Sequence, residues 1–194
     1  FHTIFYNYIP FITKSAAKLQ KNIDIFGIFE NYLYFCAQIC AFFYNMTIEI
    51  RQIKDKVGLL RFVRFGNEFY KDCKNFCPSL ILDELGTFNI KKNPAFDVCE
   101  HVLYMAYQNG KAVGRVAGII NYEANRKWGV NQVRFGWLDF VDDFEVCKAL
   151  LDAVVAWGKS KGMNGLNGPV GFTDFDHQGL LIEGFDHLAP MASL

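Results

Sequence analysis

Asn109-Gly110 stands between two apolar-rich stretches, "HVLYMAYQ" and "KAVGRVAGII", and constrains the fold of this chain more than any other feature. A two-residue connection between antiparallel strands needs a primed turn to match their twist. Asparagine followed by glycine supplies the two positive φ angles of a type I′ turn at little steric cost. The two stretches therefore predict an antiparallel hairpin.

The segments around the hairpin extend the pattern. "TIEIRQI" (47–53) alternates and predicts a short strand, and Asp55 is placed to open a helix with Leu59, Phe62, Val63, Phe69 and Cys73 on its apolar side. Cys77-Pro78 is expected to end that helix, because proline lacks the N–H of the helical ladder. "SLILDELGTFNIKKNPAF" then reads as a short helix or turn region closed at Asn93-Pro94. After the hairpin, "NYEANRKWGVN" reads as a polar loop leading to a third strand, "QVRFGWLDFV". Simple alternation places Val133, Phe135 and Trp137 on one face of that strand and Arg134, Leu138 and Phe140 on the other.

That strand runs into a helix without a glycine-rich break. Asp142 followed three residues later by Glu145 resembles a capping box, and Val146, Leu150, Ala153, Val154 and Trp157 form an apolar stripe. Lys159 and Lys161 suit the negative end of the helix dipole, and Gly162 is a natural stop. "NGLNGPVGF" predicts another strand, and "DHQGLLIEGF" a short helix or turn.

Composition narrows the function classes. Twenty basic and twenty acidic residues cancel, so no overall field favours nucleic acid or anionic lipid. The six cysteines lack a disulfide-framework spacing, which points to buried thiols and a cytoplasmic location. Residues 1–45, dominated by Phe, Ile, Tyr, Asn and Lys, follow neither a period of 2 nor of 3.6, so a boundary is expected at Met46. One reading is upstream sequence translated in frame, with the natural start at Met46. A membrane anchor over Gly27 to Tyr44 fits less well, since Glu30, Asn31 and Gln38 interrupt a run barely long enough to span.

From Met46 the order is strand, helix, helical segment, hairpin, strand, helix, strand, helix. That order is similar to the GNAT superfamily of acetyl-CoA-dependent N-acyltransferases. Residues 139–186 ("DFVDDFEVCKALLDAVVAWGKSKGMNGLNGPVGFTDFDHQGLLIEGFD") resemble the N-terminal part of a bacterial branch of longer GNAT-like proteins. The resemblance implies an α/β (α+β) domain over 46–194, a mixed, largely antiparallel sheet flanked by helices and C-terminally incomplete, with a missing C-terminal half of the same protein as partner. It implies an acyl-CoA, such as acetyl-CoA, as donor and an amine of unknown identity as acceptor. Pantetheine would lie where the fourth and fifth strands splay, and the next helix start would hold the pyrophosphate. Carried onto this chain, the cofactor-binding positions are Leu138, Phe140, Val141, Asp143, Phe144, Glu145 and Asn167. The family's usual loop here is Gln or Arg, then two residues, then Gly-x-Gly or Gly-x-Ala. This chain has "VDDFEV" instead, whose carboxylates compete for the helix N–H donors and oppose a diphosphate.

Transfer to an amine calls for a base. Asp139, near the end of the third strand, and Glu123, in the loop before it, are the candidates, with Tyr122 as an acid for the leaving thiol. Asp174, Asp176, His177, Asp186 and His187 gather near the C-terminus, but no spacing forces them together on a metal, and none is expected. Cys73 and Cys77 share a face if helical, without a second ligand pair. A non-catalytic GNAT-shaped binding or packing module is the alternative to an acyltransferase.

Overall fold

The computed structural model describes residues 47–173 together with 175, 176, 178–180, 183 and 187. These all lie within the unit Thr47–Leu194. The atypical leader, with Cys36 and Cys40, lies outside the described residues, as do Asp174, His177 and Asp186.

The hairpin forms as expected. Strands β2 (Cys99–Gln108) and β3 (Lys111–Asn121) pair antiparallel. Asn109 and Gly110 join them at φ 54° and 76°, the left-handed geometry of a type I′ turn. On the outer side of β2, strand β1 (Glu49–Ile53) pairs antiparallel; on the outer side of β3, strand β4 (Gln132–Phe140) does the same. Strand β5 (Gly165–Asn167) pairs parallel with β4 and completes a sheet of order β1-β2-β3-β4-β5. Among the described residues the result is a mixed, mostly antiparallel five-stranded sheet with four α-helices.

Each face of the sheet carries its own core. Helix α1 (Lys56–Phe69), capped by the Asp55 carboxylate on the Gly58 N–H at 2.5 Å, covers one face with α2 (Ile81–Thr87). Phe62, Val63, Phe65, Phe88, Leu103, Met105, Ile119 and Phe172 are buried there. Helix α4 (Phe144–Ser160) covers the other face, where Val146, Leu150 and Val154 pack on Ala106, Val116, Ile120 and Val133. Leu150 and Val154 lie on the expected stripe, at the i, i+4 spacing of a one-faced helix. No helix among the described residues is long and apolar enough to cross a membrane.

Four local expectations need correction. Helix α1 stops at Phe69, well before Cys77-Pro78, so Cys73 and Cys77 do not share a helical face and both are exposed. The chain that follows is arrested earlier by the packing of Tyr70 on Phe69 and Phe76. The polar segment after β3 is helical: α3 (Tyr122–Trp128) is capped by the Asn121 side chain on the Ala124 N–H at 2.8 Å and ends at Gly129 with φ 66°. The cap of α4 is Asp143 rather than Asp142; its carboxylate accepts from the Glu145 N–H at 2.9 Å. The alternation in β4 breaks. The register with β3 shifts by one residue between Arg115–Asp139 and Ala117–Gly136, and Trp137 takes φ 49°. That β-bulge sends Trp137 to the α1–α2 face, while Val133, Phe135, Leu138 and Phe140 all pack toward α4.

Candidate functional site

The bulge lies where the sheet opens. Pairing between β4 and β5 covers only Gln132–Gly165, Val133–Leu166 and Arg134–Asn167. One more backbone bond, from Val170 N–H to the Phe135 carbonyl at 2.8 Å, holds the departing chain beside Phe135. The chain then passes beneath the sheet, where Phe172 is 1% exposed in the α1–α2 core. From Gly136 to Phe140 no strand among the described residues pairs with that side of β4.

Two carboxylates approach this open half of β4 from the α1–α2 face. Asp139 is one of the expected bases, and both of its oxygens are engaged. Arg115 Nε donates to Oδ2 at 2.7 Å and the Tyr70 hydroxyl donates to Oδ1 at 3.1 Å. Arg115 in turn donates through Nη1 to the Phe62 carbonyl at 2.7 Å, so the pair ties α1 to β3 and β4. Burial and the Asp139 charge push the Tyr70 phenol well above its ordinary range, which keeps it a neutral donor.

The second carboxylate is Glu84, on α2. Its Oε2 accepts from Trp137 Nε1 at 2.8 Å, and Oε1 has no partner among the described residues. Trp137 is itself held by Phe88 at 4.8 Å and Phe172 at 6.0 Å between ring centroids. Reading the sequence missed Glu84 because "LDELG" looks like any short helix start. Its partner lies 53 residues away.

The other two expected catalytic residues lie elsewhere. Tyr122 and Glu123 begin α3, at the far end of β3 from Arg115; at about 3.4 Å per residue that is roughly 20 Å along the strand. The Tyr122 hydroxyl donates to Glu100 at 3.2 Å, and Glu123 pairs with Arg126 at 2.7 Å on the surface. The structure does not bring them together with Asp139.

The expected cofactor positions divide in two. Leu138, Phe140 and Val141 pack partly buried side chains against the α4 core, and the Val141 N–H donates to the Val113 carbonyl of β3 at 2.9 Å. Asn167 ends β5, exposed. Beyond them the start of α4 presents Asp142, Asp143 and Glu145, with Phe144 75% exposed. The Glu145 N–H is already taken by Asp143. Carboxylates at this helix start oppose an anion there. Among the described residues no group of three His, Cys, Asp or Glu side chains could hold a metal ion.

Comparison with known proteins decides the relationship. No protein-family model matches the chain. It is 33% identical over 140 residues to the protein YghO of Escherichia coli (strain K12), covering 71% of this chain and 35% of that one. It is 27% identical over 143 residues to the bacterial ceramide synthase of Caulobacter vibrioides, covering 73% and 37%. The chain is distantly homologous to both over this region. The chain spans about a third of the length of these curated relatives. Among solved structures, the chain is similar to a tandem GNAT protein from the clavulanic acid biosynthesis pathway (TM-score 0.49, 11% identity, 62% of this chain and 35% of that one). It is also similar to an acetyltransferase from Clostridium acetobutylicum with acetyl-CoA (TM-score 0.45, 14% identity, 62% and 79%).

Proposed function

We propose that this domain contributes the donor side of an N-acyltransferase, moving an acyl group from a pantetheine thioester to an amine. The observation that carries the reading is the three-residue pairing of β4 with β5, which leaves Gly136–Phe140 as an open edge beside the left-handed Trp137. An extended thioester arm laid along that edge would find β4 backbone groups left without strand partners where β5 departs. Acyl-CoA is the donor class, with the pantetheine arm as the recognised part. The Caulobacter relative is named a ceramide synthase, and a ceramide is an amide of a long-chain amino alcohol. An apolar amine is therefore the acceptor class favoured here.

Calorimetric titration with acetyl-CoA and palmitoyl-CoA tests the reading. Saturable binding of either supports it, and the absence of heat at millimolar acetyl-CoA and at soluble palmitoyl-CoA removes it. The second reading, a non-catalytic module packing in a longer protein, is favoured by one observation: Asp142, Asp143 and Glu145 at the α4 start, where a diphosphate would otherwise be drawn to the helix dipole.

A further inference from the structure

We propose that Glu84 is the catalytic base of this site, an assignment that rests on the acyl-transfer reading. Three observations converge on it. Glu84 is half-buried on α2, and the Trp137 indole N–H fixes one of its oxygens at 2.8 Å. Its other oxygen has no partner among the described residues. The residue that holds it is the bulged one, at φ 49°, on the stretch of β4 that β5 leaves open. Asp139, the other carboxylate on this face, spends both oxygens on Arg115 and Tyr70.

An indole N–H suits this task because it donates only, so it orients a carboxylate without competing for the proton. Trp137 in turn cannot swing, since Phe88 and Phe172 pack against it. The carboxylate also draws the ammonium form in which an alkylamine arrives at neutral pH. Glu84 first takes a proton from that ammonium, which frees the attacking lone pair, and passes it to solvent; it then accepts the second proton, which the nitrogen sheds as the C–N bond forms. The C–S bond breaks with its electron pair on sulfur, and the thiolate takes a proton from water. The products are an amide and a free thiol, and Glu84 returns its proton to solvent.

The test uses the full chain, palmitoyl-CoA and a long-chain amino alcohol, reading thiol release and donor binding by calorimetry. Glu84→Gln keeps an acceptor for the indole but removes the base. It is expected to bind palmitoyl-CoA within about twofold of wild type and to lose on the order of 100-fold in kcat. Added formate is expected to restore part of the activity of Glu84→Ala. Trp137→Phe, which leaves the carboxylate in place but unheld, is expected to lower kcat by a smaller factor. Wild-type kcat in Glu84→Gln overturns the assignment alone, as does a loss of donor binding that matches the loss of rate. Absence of both binding and thiol release in wild type overturns the acyl-transfer reading, and the base assignment with it.

Discussion

Arg115 and Asp139 face each other across β3 and β4 at 2.7 Å, with side chains only 10% and 16% exposed. The guanidinium also binds helix carbonyls of α1, and the carboxylate also binds Tyr70, so each charge has several partners. Removing one member strands the other in a site of low polarity. Asp139→Ala is expected to cost about 3 to 5 kcal/mol in urea unfolding. Arg115→Met combined with Asp139→Ala should cost less than the sum of the single changes, because no buried charge is then left unpaired.

His101 gives stability a pH dependence. Its ring lies among Phe88, Phe96 and Phe172, and burial lowers its pKa below the ordinary value near 6.5. The unfolded chain therefore takes up this proton first as pH falls, and stability contributed by the neutral ring, complete above about pH 6.5, is lost on going below it. Unfolding midpoints from pH 7.5 to 5 should fall more steeply for wild type than for His101→Leu.

Gly158 lets α4 approach the sheet. A Cβ there would sit 2.6 Å and 2.9 Å from side-chain carbons of Val133, which is itself buried. Gly158→Ala should lose about 1 to 3 kcal/mol by overpacking. Adding Val133→Ala should recover part of that loss, a coupling measurable in a double-mutant cycle.

Asp143 and Asp142 are neighbours with different duties. Asp143→Ala removes the cap that holds the Glu145 N–H and should cost about 1 kcal/mol in thermal or urea unfolding. Asp142→Ala, at an exposed position without that bond, should change stability by less than about 0.5 kcal/mol.

The same acids should tune donor affinity. Each charge pair costs about 1 kcal/mol in water at close range, so Asp142→Asn with Glu145→Gln should tighten acetyl-CoA binding several-fold. The gain should shrink as salt is added, because these side chains are exposed. Calorimetric titration at two ionic strengths checks both points.

Much of the architecture was legible because its signals are local. Asn109-Gly110 needs no partner to specify its turn, Asp55 caps the helix that follows it, and the spacing of Val146, Leu150 and Val154 declares the buried side of α4. The misreadings have a common origin. Period-2 alternation assumes an unbroken ladder, and one extra residue at Trp137 reverses the face of everything after it. Likewise the spacing of Asp142 and Glu145 matched a capping box, but the chain reaches helical geometry one residue later. Asp139 was recognisable as a carboxylate at a strand end, yet nothing nearby in sequence announces that Arg115 and Tyr70 occupy it.

By itself, then, the order of residues determined the hairpin, the succession of strands and the apolar face of α4, since turn chemistry and side-chain period act over a few neighbours. Only the tertiary structure decided which carboxylate meets the open strand. Glu84 and Trp137 are 53 positions apart. They touch because α2 packs over a bulge whose position depends on the register between β3 and β4, a property that belongs to the paired strands and to neither of them alone.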